Sequence, residues 1–302
     1  MEKVAYKGWS NCARISNQEV ELLVTADVGP RIIRFGFIGE ENEFVEFADE
    51  VGKTGGDQHR MYGGHRLWHA PEDLTRTYVP DNREVNVRDL ENGGVRFTQE
   101  VEEKTGIQKE IDIFLAAGRN EVTVIHRMYN RGLWPVPLAL WALTQMAPGG
   151  TGIFPLPPRG SHAENLLPTC RMALWAYTDM SDPRWTWGER FILLRQDPLR
   201  SKPQKFGLML EAGWMAYARG EHVFVKFLTP PVCDGEYPDL GVNAESFTND
   251  VILELESLGP VYQAAPGESV EHVERWLLAK GIGPVQAEED VLRHVLPLIG
   301  RE

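Results

Sequence analysis

The sequence predicts an all-β fold: one large antiparallel β-sandwich, residues 1–302 as a single domain, closed by a short C-terminal helix. Three observations carry this. Apolar residues alternate with polar ones at period two in segment after segment. Glycine, proline and Asn-Gly turn signals separate these segments, and a helical stripe occurs only near the end. Strand following strand without intervening helices excludes parallel βαβ architectures and leaves antiparallel sheets stacked face to face.

The elements follow in chain order. Val20, Leu22 and Val24 alternate with Glu21, Leu23 and Thr25, Gly29 and Pro30 make a turn, and Ile33, Phe35 and Phe37 continue the alternation to Gly39. Residues 42–57 are polar and glycine-bearing, a connection into the segment 61–72. Val85 and Val87 lead to Asn92-Gly93, a dipeptide suited to a type I′ turn, and Val95, Phe97, Gln99 and Val101 return as a hairpin. Strands are expected at 111–115, 122–128 and 138–146. Residues 147–169 hold five prolines and four glycines, yet Ile153, Phe154, Leu156, Leu166 and Leu167 mark them as a crossing packed on a sheet. The aromatic stretch 172–196 contains Trp175, Tyr177, Trp185 and Trp187, suited to core or interface and also to stacking on sugar rings. Strands at 206–210, 214–218, 223–227, 251–258 and 276–278 complete the sheets. Pro284, the acidic run Glu288, Glu289 and Asp290, and the stripe Val291, Leu292, Val295 and Leu296 predict a helix over about 284–299.

The formal charge of −13, from 31 basic and 44 acidic residues, argues against nucleic acid or an anionic membrane as partner, because both reward clustered Lys and Arg. Cys12, Cys170 and Cys233 are odd in number, scattered and without zinc-ligand spacing, which points to a reducing compartment and no metal. No apolar run of signal or membrane-span length is present, so the expected location is the cytoplasm. No cofactor is expected, and oligomeric state is not readable.

Two places concentrate chemistry. In MYGGHRLWHAPE, residues 61–72, Gly63 and Gly64 permit left-handed backbone and Pro71 stops regular structure, so the segment reads as a tight loop. His65 and His69 titrate near neutral pH, Arg66 offers a fork of donors and Trp68 a flat apolar surface: the parts of a polyol site. The same residues also fit a surface turn with one buried Trp and two solvated imidazoles. In LELES, residues 253–257, strand geometry puts Glu254 and Glu256 on one face, about 7 Å apart, with Leu253, Leu255 and Ser257 on the core face. Like charges this close raise a carboxyl pKa where they line a cleft, and are ordinary solvated glutamates where they do not. Trp141 and Gln145 share one face of the 138–146 strand, a ring platform and a planar amide for hydroxyls. His162, in the crossing, can reach a site. His126 reads as a buried, satisfied histidine, His222 as part of a hairpin turn, and His272 and His294 have no companions.

Taken with the turn at Asp27, Val28 and Gly29, the stretch YGGHRLWHAPE at 62–72, LELESLGP at 253–260 and APGES at 265–269 resemble galactose mutarotase-like proteins, in a bacterial branch apart from the well-studied aldose 1-epimerases. The resemblance covers nearly the whole chain in order and implies a supersandwich with a sugar-binding cleft on one concave face. It implies a neutral monosaccharide or small glycoside as partner, with a histidine acid and a glutamate base interconverting sugar anomers. Where the family carries its catalytic His after a Leu-Thr-Asn stretch, this chain has Gln145 and Met146. His65 is then the leading acid, with His69 or His162 as alternatives, Glu256 the base and Glu254 its neighbour. Arg66, Trp68, His69, Gln145, Trp141 and His162 are the expected sugar contacts. The alternatives are a non-catalytic sugar-binding module and, third, a calcium-assisted glycoside-processing enzyme with Glu72, Glu254 and Glu256 as oxygen ligands.

Overall fold

Nearly every alternating segment becomes a strand in the computed structural model, which describes residues 1–232 and 234–300. Cys233, one of the three thiols weighed above, lies outside the described residues; Cys12 is a buried free thiol and Cys170 an exposed one. β1 (Glu2–Tyr6), β2 (Trp9–Ser16), β3 (Val20–Thr25), β4 (Arg31–Phe37) and β5 (Gly64–Ala70) lie side by side in a first sheet. The chain crosses to a second sheet for β6 (Asn86–Asp89), β7 (Val95–Thr98), β8 (Ile107–Leu115) and β9 (Glu121–Asn130), and returns with β10 (Val136–Met146) against β5. β11 (Thr151–Pro155) crosses again and β12 (Met172–Leu174) edges the first sheet. β13 (Trp185–Trp187) and β14 (Phe191–Arg195) join the second, and β15 (Gln204–Leu208) the first. β16 (Trp214–Arg219) and β17 (His222–Leu228) join the second, and β18 (Ala244–Thr248), β19 (Leu253–Leu258) and β20 (Tyr262–Ala264) the first. β21 (Ser269–Lys280) completes the second. The centre of the first sheet runs β4-β5-β10-β19-β18-β15, all antiparallel.

The inner faces meet in one core. Leu22, Phe35, Leu67, Leu140 and Leu255 from the first sheet pack on Phe97, Ile111, Val124, Phe224 and Trp276 from the second. Phe35 stands 6.0 Å from Trp276 and 6.1 Å from Phe224, ring centre to ring centre, which fixes the sheets' separation through aromatic contacts. Residues of alternate parity on the second sheet, Ile153, Phe191, Trp214 and Val225, face the other way and are covered by Val291 and Val295. This is the C-terminal helical segment, α-helical at Glu288–Asp290 and Leu296–Ile299 and π-helical at Val291–Val295. It starts four residues later than Pro284 suggests, because the Asp290 carboxylate caps the Gln286 and Ala287 amides, both at 3.0 Å, and fixes the first turn there. No helix among the described residues is long and apolar enough to cross a membrane.

Three local readings change. The crossing 147–169 contains strand β11, paired on both edges, while its Leu166 and Leu167 are exposed and not packed on a sheet. Residues 64–70 are a central strand and not a loop: β5 has a neighbour on each edge and both faces covered, so its polar side chains are buried. The glycines act only at its entrance, where Gly63 and Gly64 have φ of +89° and +74° and a Cβ on Gly64 would lie 2.2 Å from the Ile32 carbonyl oxygen. In the hairpin, Gly93 alone of Asn92-Gly93 has positive φ, so the turn is not type I′; Gly93 donates to the Leu90 carbonyl and Leu90 to that of Gly94, closing a longer loop. β1, β2 and β18 were not legible as separate strands, since their apolar alternation is broken by polar residues that face solvent or the site.

Candidate functional site

Because side chains alternate across a strand, the central strands present two different polar surfaces, one outward and one toward the core. On the outward face stand Arg66 and Trp68 from β5, Trp141 and Gln145 from β10, Glu254 and Glu256 from β19, with register pairs Trp141↔Trp68, Gln145↔Glu254 and Leu143↔Glu256. Two further groups come from strands not read as functional: Glu245 on β18, directly opposite Glu256, and Lys205 on β15. Trp141 Nε1 donates to Glu256 Oε2 at 2.9 Å, Lys205 Nζ donates to the same oxygen at 3.2 Å, and Gln145 Nε2 donates to Glu254 Oε1 at 2.8 Å. Lys205 also pairs with Glu245 at 2.8 Å and lies 4.8 Å and 4.7 Å from the ring centres of Trp141 and Trp175. The Arg66 guanidinium stacks on Trp68 at 3.8 Å and donates to His59 Nε2 at 3.3 Å. Tyr78 packs on Trp68 at 4.9 Å and donates to the exposed Glu72.

The electrostatics follow from burial. Glu254 is 8% exposed and its carboxyl is pushed up to about 7, by desolvation first and by Glu256 second, against the opposing pull of Arg66. Burial, with Glu256 adding, also raises Glu245 well above the usual range. Burial works against the Lys205 ammonium, but Glu256 and Glu245 outweigh it and raise its pKa. Arg66 is lowered to about 10 by burial and by Arg31 beside it. Polar atoms on this face without a hydrogen-bond partner include Gln145 Oε1, Glu256 Oε1, Glu245 Oε1 and Arg66 Nε. The calcium arrangement is not assembled, because an ammonium stands on Glu256 while Glu72 is turned to Tyr78.

His65 and His69 are on the opposite face of β5, inside the sandwich and fully buried, so neither stands with Glu254 and Glu256. The reason is parity: Arg66 and Trp68 outward require His65, Leu67 and His69 inward. His162 is exposed on the irregular stretch after β11. His69 is held neutral, its pKa lowered by burial to about 3, and neither ring nitrogen has a partner. His65 belongs to a chain of bonds across the interior. His126 Nδ1 lies 3.0 Å from the His272 carbonyl oxygen and must donate to it, which leaves His126 Nε2 to accept from His65 Nε2 at 2.7 Å and His65 Nδ1 to accept from Thr144 at 2.9 Å. His272 Nε2 and Glu274 both bond Ser257, and Lys226 Nζ sits 2.9 Å from Glu274 while donating to the carbonyls of Leu255 and Ala142. His272 therefore has the companions its sequence neighbourhood lacks. His65, His126 and Glu274 bring ligand atoms within 4.8 Å of one another, a spacing a metal could use. The proton count is nevertheless complete, and Lys226 already supplies the cation, so the cluster reads as a structural hydrogen-bond network.

No protein-family model matches the sequence, and no curated protein matches it at a significant level. Solved structures do. A galactose mutarotase-like protein from Lactobacillus casei ATCC 334 superposes with a TM-score of 0.54, covering 89% of this chain and 100% of that one at 12% identity. A galactose mutarotase related enzyme from Lactobacillus acidophilus superposes with 0.57, covering 91% and 100% at 9% identity. The chain has the galactose mutarotase-like fold. That fold is also found in a TPR-domain containing protein from Parabacteroides distasonis, with TM-score 0.58 and 15% identity over 91% of this chain and 48% of that one, so it does not by itself name a reaction.

On this galactose mutarotase-like scaffold, sequence reasoning missed Lys205, Glu245 and His59. Lys205 follows Gln204 at the start of a short strand with nothing nearby to mark it, and only pairing across β15, β18 and β19 brings it to Glu256. His59 lies two residues before MYGGHRLWHAPE and meets Arg66 only through the fold; burial, with Arg66 second, lowers it to about 4.

Proposed function

We propose that the outward face of the β5-β10-β19 centre binds a neutral monosaccharide or small glycoside, and that Glu254 moves the proton in anomer interconversion. One observation carries the binding half: unmet acceptors, Gln145 Oε1, Glu256 Oε1 and Glu245 Oε1, and an unmet donor, Arg66 Nε, lie on the same face as the paired indoles of Trp68 and Trp141. Sugar hydroxyls both donate and accept, and a pyranose offers C–H faces to aromatic rings. The catalytic half rests on Glu254, whose carboxyl, pushed up to about 7, is shared between acid and base forms at neutral pH. Glu256 is fully buried under Trp141 and Lys205, which favours Glu254 over it as the proton acceptor. In the proposed step Glu254 takes the proton of the anomeric hydroxyl, the C1–O5 bond breaks with its electron pair moving to O5, and Glu254, now the acid, returns the proton to O5. The aldehyde rotates and the reverse transfers close the other anomer. Entry requires Tyr78 and Trp175, which pack on Trp68 and Lys205, to shift, since the groups beneath are nearly sealed.

The placement of His65 and His69 on the inner face favours a second reading, a binding module without turnover. Polarimetry on freshly dissolved aldoses separates the two. Glu254→Gln is expected to abolish acceleration and keep affinity within a few-fold, because the amide keeps the shape and loses the base. If no aldose in a broad panel equilibrates faster with the protein than in buffer, the catalytic half fails. Saturation-transfer NMR with the same panel then decides binding alone.

A further inference from the structure

The first sheet ends in β1 and β12, the second in β6 and β13. An edge strand offers a row of unpaired N–H and C=O groups, which proteins protect with charge or with cover. β1 carries Glu2 and Lys3, β6 carries Arg88 and Asp89, and the Met1 amino group stands 3.5 Å from Asp89. β13 is covered by the residues before it: the Trp185 N–H donates to the Asp182 carbonyl and the Trp187 indole to that of Met180, both at 3.1 Å. β12, Met172-Ala173-Leu174, carries no charge, and no strand lies beyond it among the described residues. Met172 and Leu174 share the core-facing side of the sheet with their partners Leu208 and Phe206, yet they are 40% and 43% exposed where those two are 1%.

The backbone decides what fits this edge. The Met209 N–H donates to the Arg171 carbonyl at 2.9 Å, so in the alternation of an antiparallel ladder Ala173 and Gly207 form the next hydrogen-bonded pair. The N–H and C=O groups of Met172 and Leu174 therefore point away from β15, where the sheet ends. We infer that β12 is a dimer interface, at which a second copy of the chain pairs antiparallel about a twofold axis at Ala173. In that register Met172 of each copy stands opposite Leu174 of the other, their outward backbone groups meet as hydrogen-bonded pairs, and their uncovered side chains close on one another. The edge is complementary to itself, with the same outward groups and a large apolar side chain on either side of Ala173. Arg171 is the only charge in residues 166–177, so repulsion between two chains of net charge −13 is least here. β12 runs directly into Trp175, which lies over Lys205, so the pairing braces one cover of the outward face.

The test is sedimentation of the full-length chain from about 1 μM to about 100 μM, the range of weak dimers, with reductant present so that the exposed Cys170 forms no crosslink. The mass is expected to move from 34.1 kDa toward twice that value as concentration rises. Leu174→Lys puts a charge opposite each Met172 and is expected to raise the dissociation constant about tenfold or more. Leu174→Pro removes an N–H that only the second copy uses and is expected to do the same, with the β15 amide shifts kept as the check on folding. Ala5→Lys, on the exposed side of β1, is expected to leave the mass unchanged. Three outcomes overturn the inference: a mass of 34.1 kDa throughout, a dimer that both Leu174 variants leave intact, or a dimer in which the Met172 and Leu174 amides exchange with solvent as fast as in dilute chain. No residue of β12 is among the groups assigned to sugar, so failure of the outward-face reading leaves the sedimentation result where it was.

Discussion

Glu254→Gln tests the electrostatics of the site without any knowledge of ligand. The wild-type carboxyl is moved from an ordinary 4.5 to about 7 by burial and by Glu256. The folded chain therefore holds this proton more tightly than the unfolded chain by about 3 kcal/mol. The sign follows from proton counting: between these two values the native state binds more protons than the unfolded state, so stability falls as pH rises. The contribution is fully present below the unfolded value and is lost as pH climbs through about 7. Glutamine does not titrate and keeps an oxygen for Gln145 Nε2. The unfolding free energy of the variant minus that of wild type should thus rise by about 3 kcal/mol from pH about 5 to about 8. Urea denaturation at matched ionic strength across this range measures it, and the buried histidines cancel in the difference. Parallel wild-type and variant profiles would refute the reasoning, as would a Glu254 side-chain carbon resonance that titrates near 4.5.

Other expectations follow from the interior and the edges. Lys226→Met strands the Glu274 carboxylate and should cost about 3–5 kcal/mol, whereas pairing it with Glu274→Leu should recover much of this; denaturant melts in a double-mutant cycle check both. His65, His126 and His272 are held neutral, desolvation lowering all three and taking His272 to about 4, so their contribution is present above 6.5 and lost as pH falls through the lowered values; ring-proton NMR should show none of the three titrating at 6.5. Gly64→Ala forces a Cβ to 2.2 Å from the Ile32 oxygen at positive φ and should destabilise by at least about 2 kcal/mol in the same melts. Glu288→Ala removes the acceptor for the amides of Glu189, Arg190 and Phe191 and should loosen their hydrogen-exchange protection without disturbing the first sheet.

By itself the sequence determined the class of fold and the positions of many of the strands, because period two along a strand is a local property that burial of one face imposes directly. It also determined that Glu254 and Glu256 share a face and that Trp141 and Gln145 do, since parity needs no partner strand. Which face of β5 looks outward was decided by tertiary structure alone. A segment buried on both sides, such as β5, shows no polar-out alternation to read, and its histidines looked like site residues while pointing into the core. The same holds for the groups that define the chemistry. Lys205 reaches Glu256 across 51 positions, and Glu254 owes its raised pKa to desolvation, a sum over atoms from several strands that no spacing along the chain encodes.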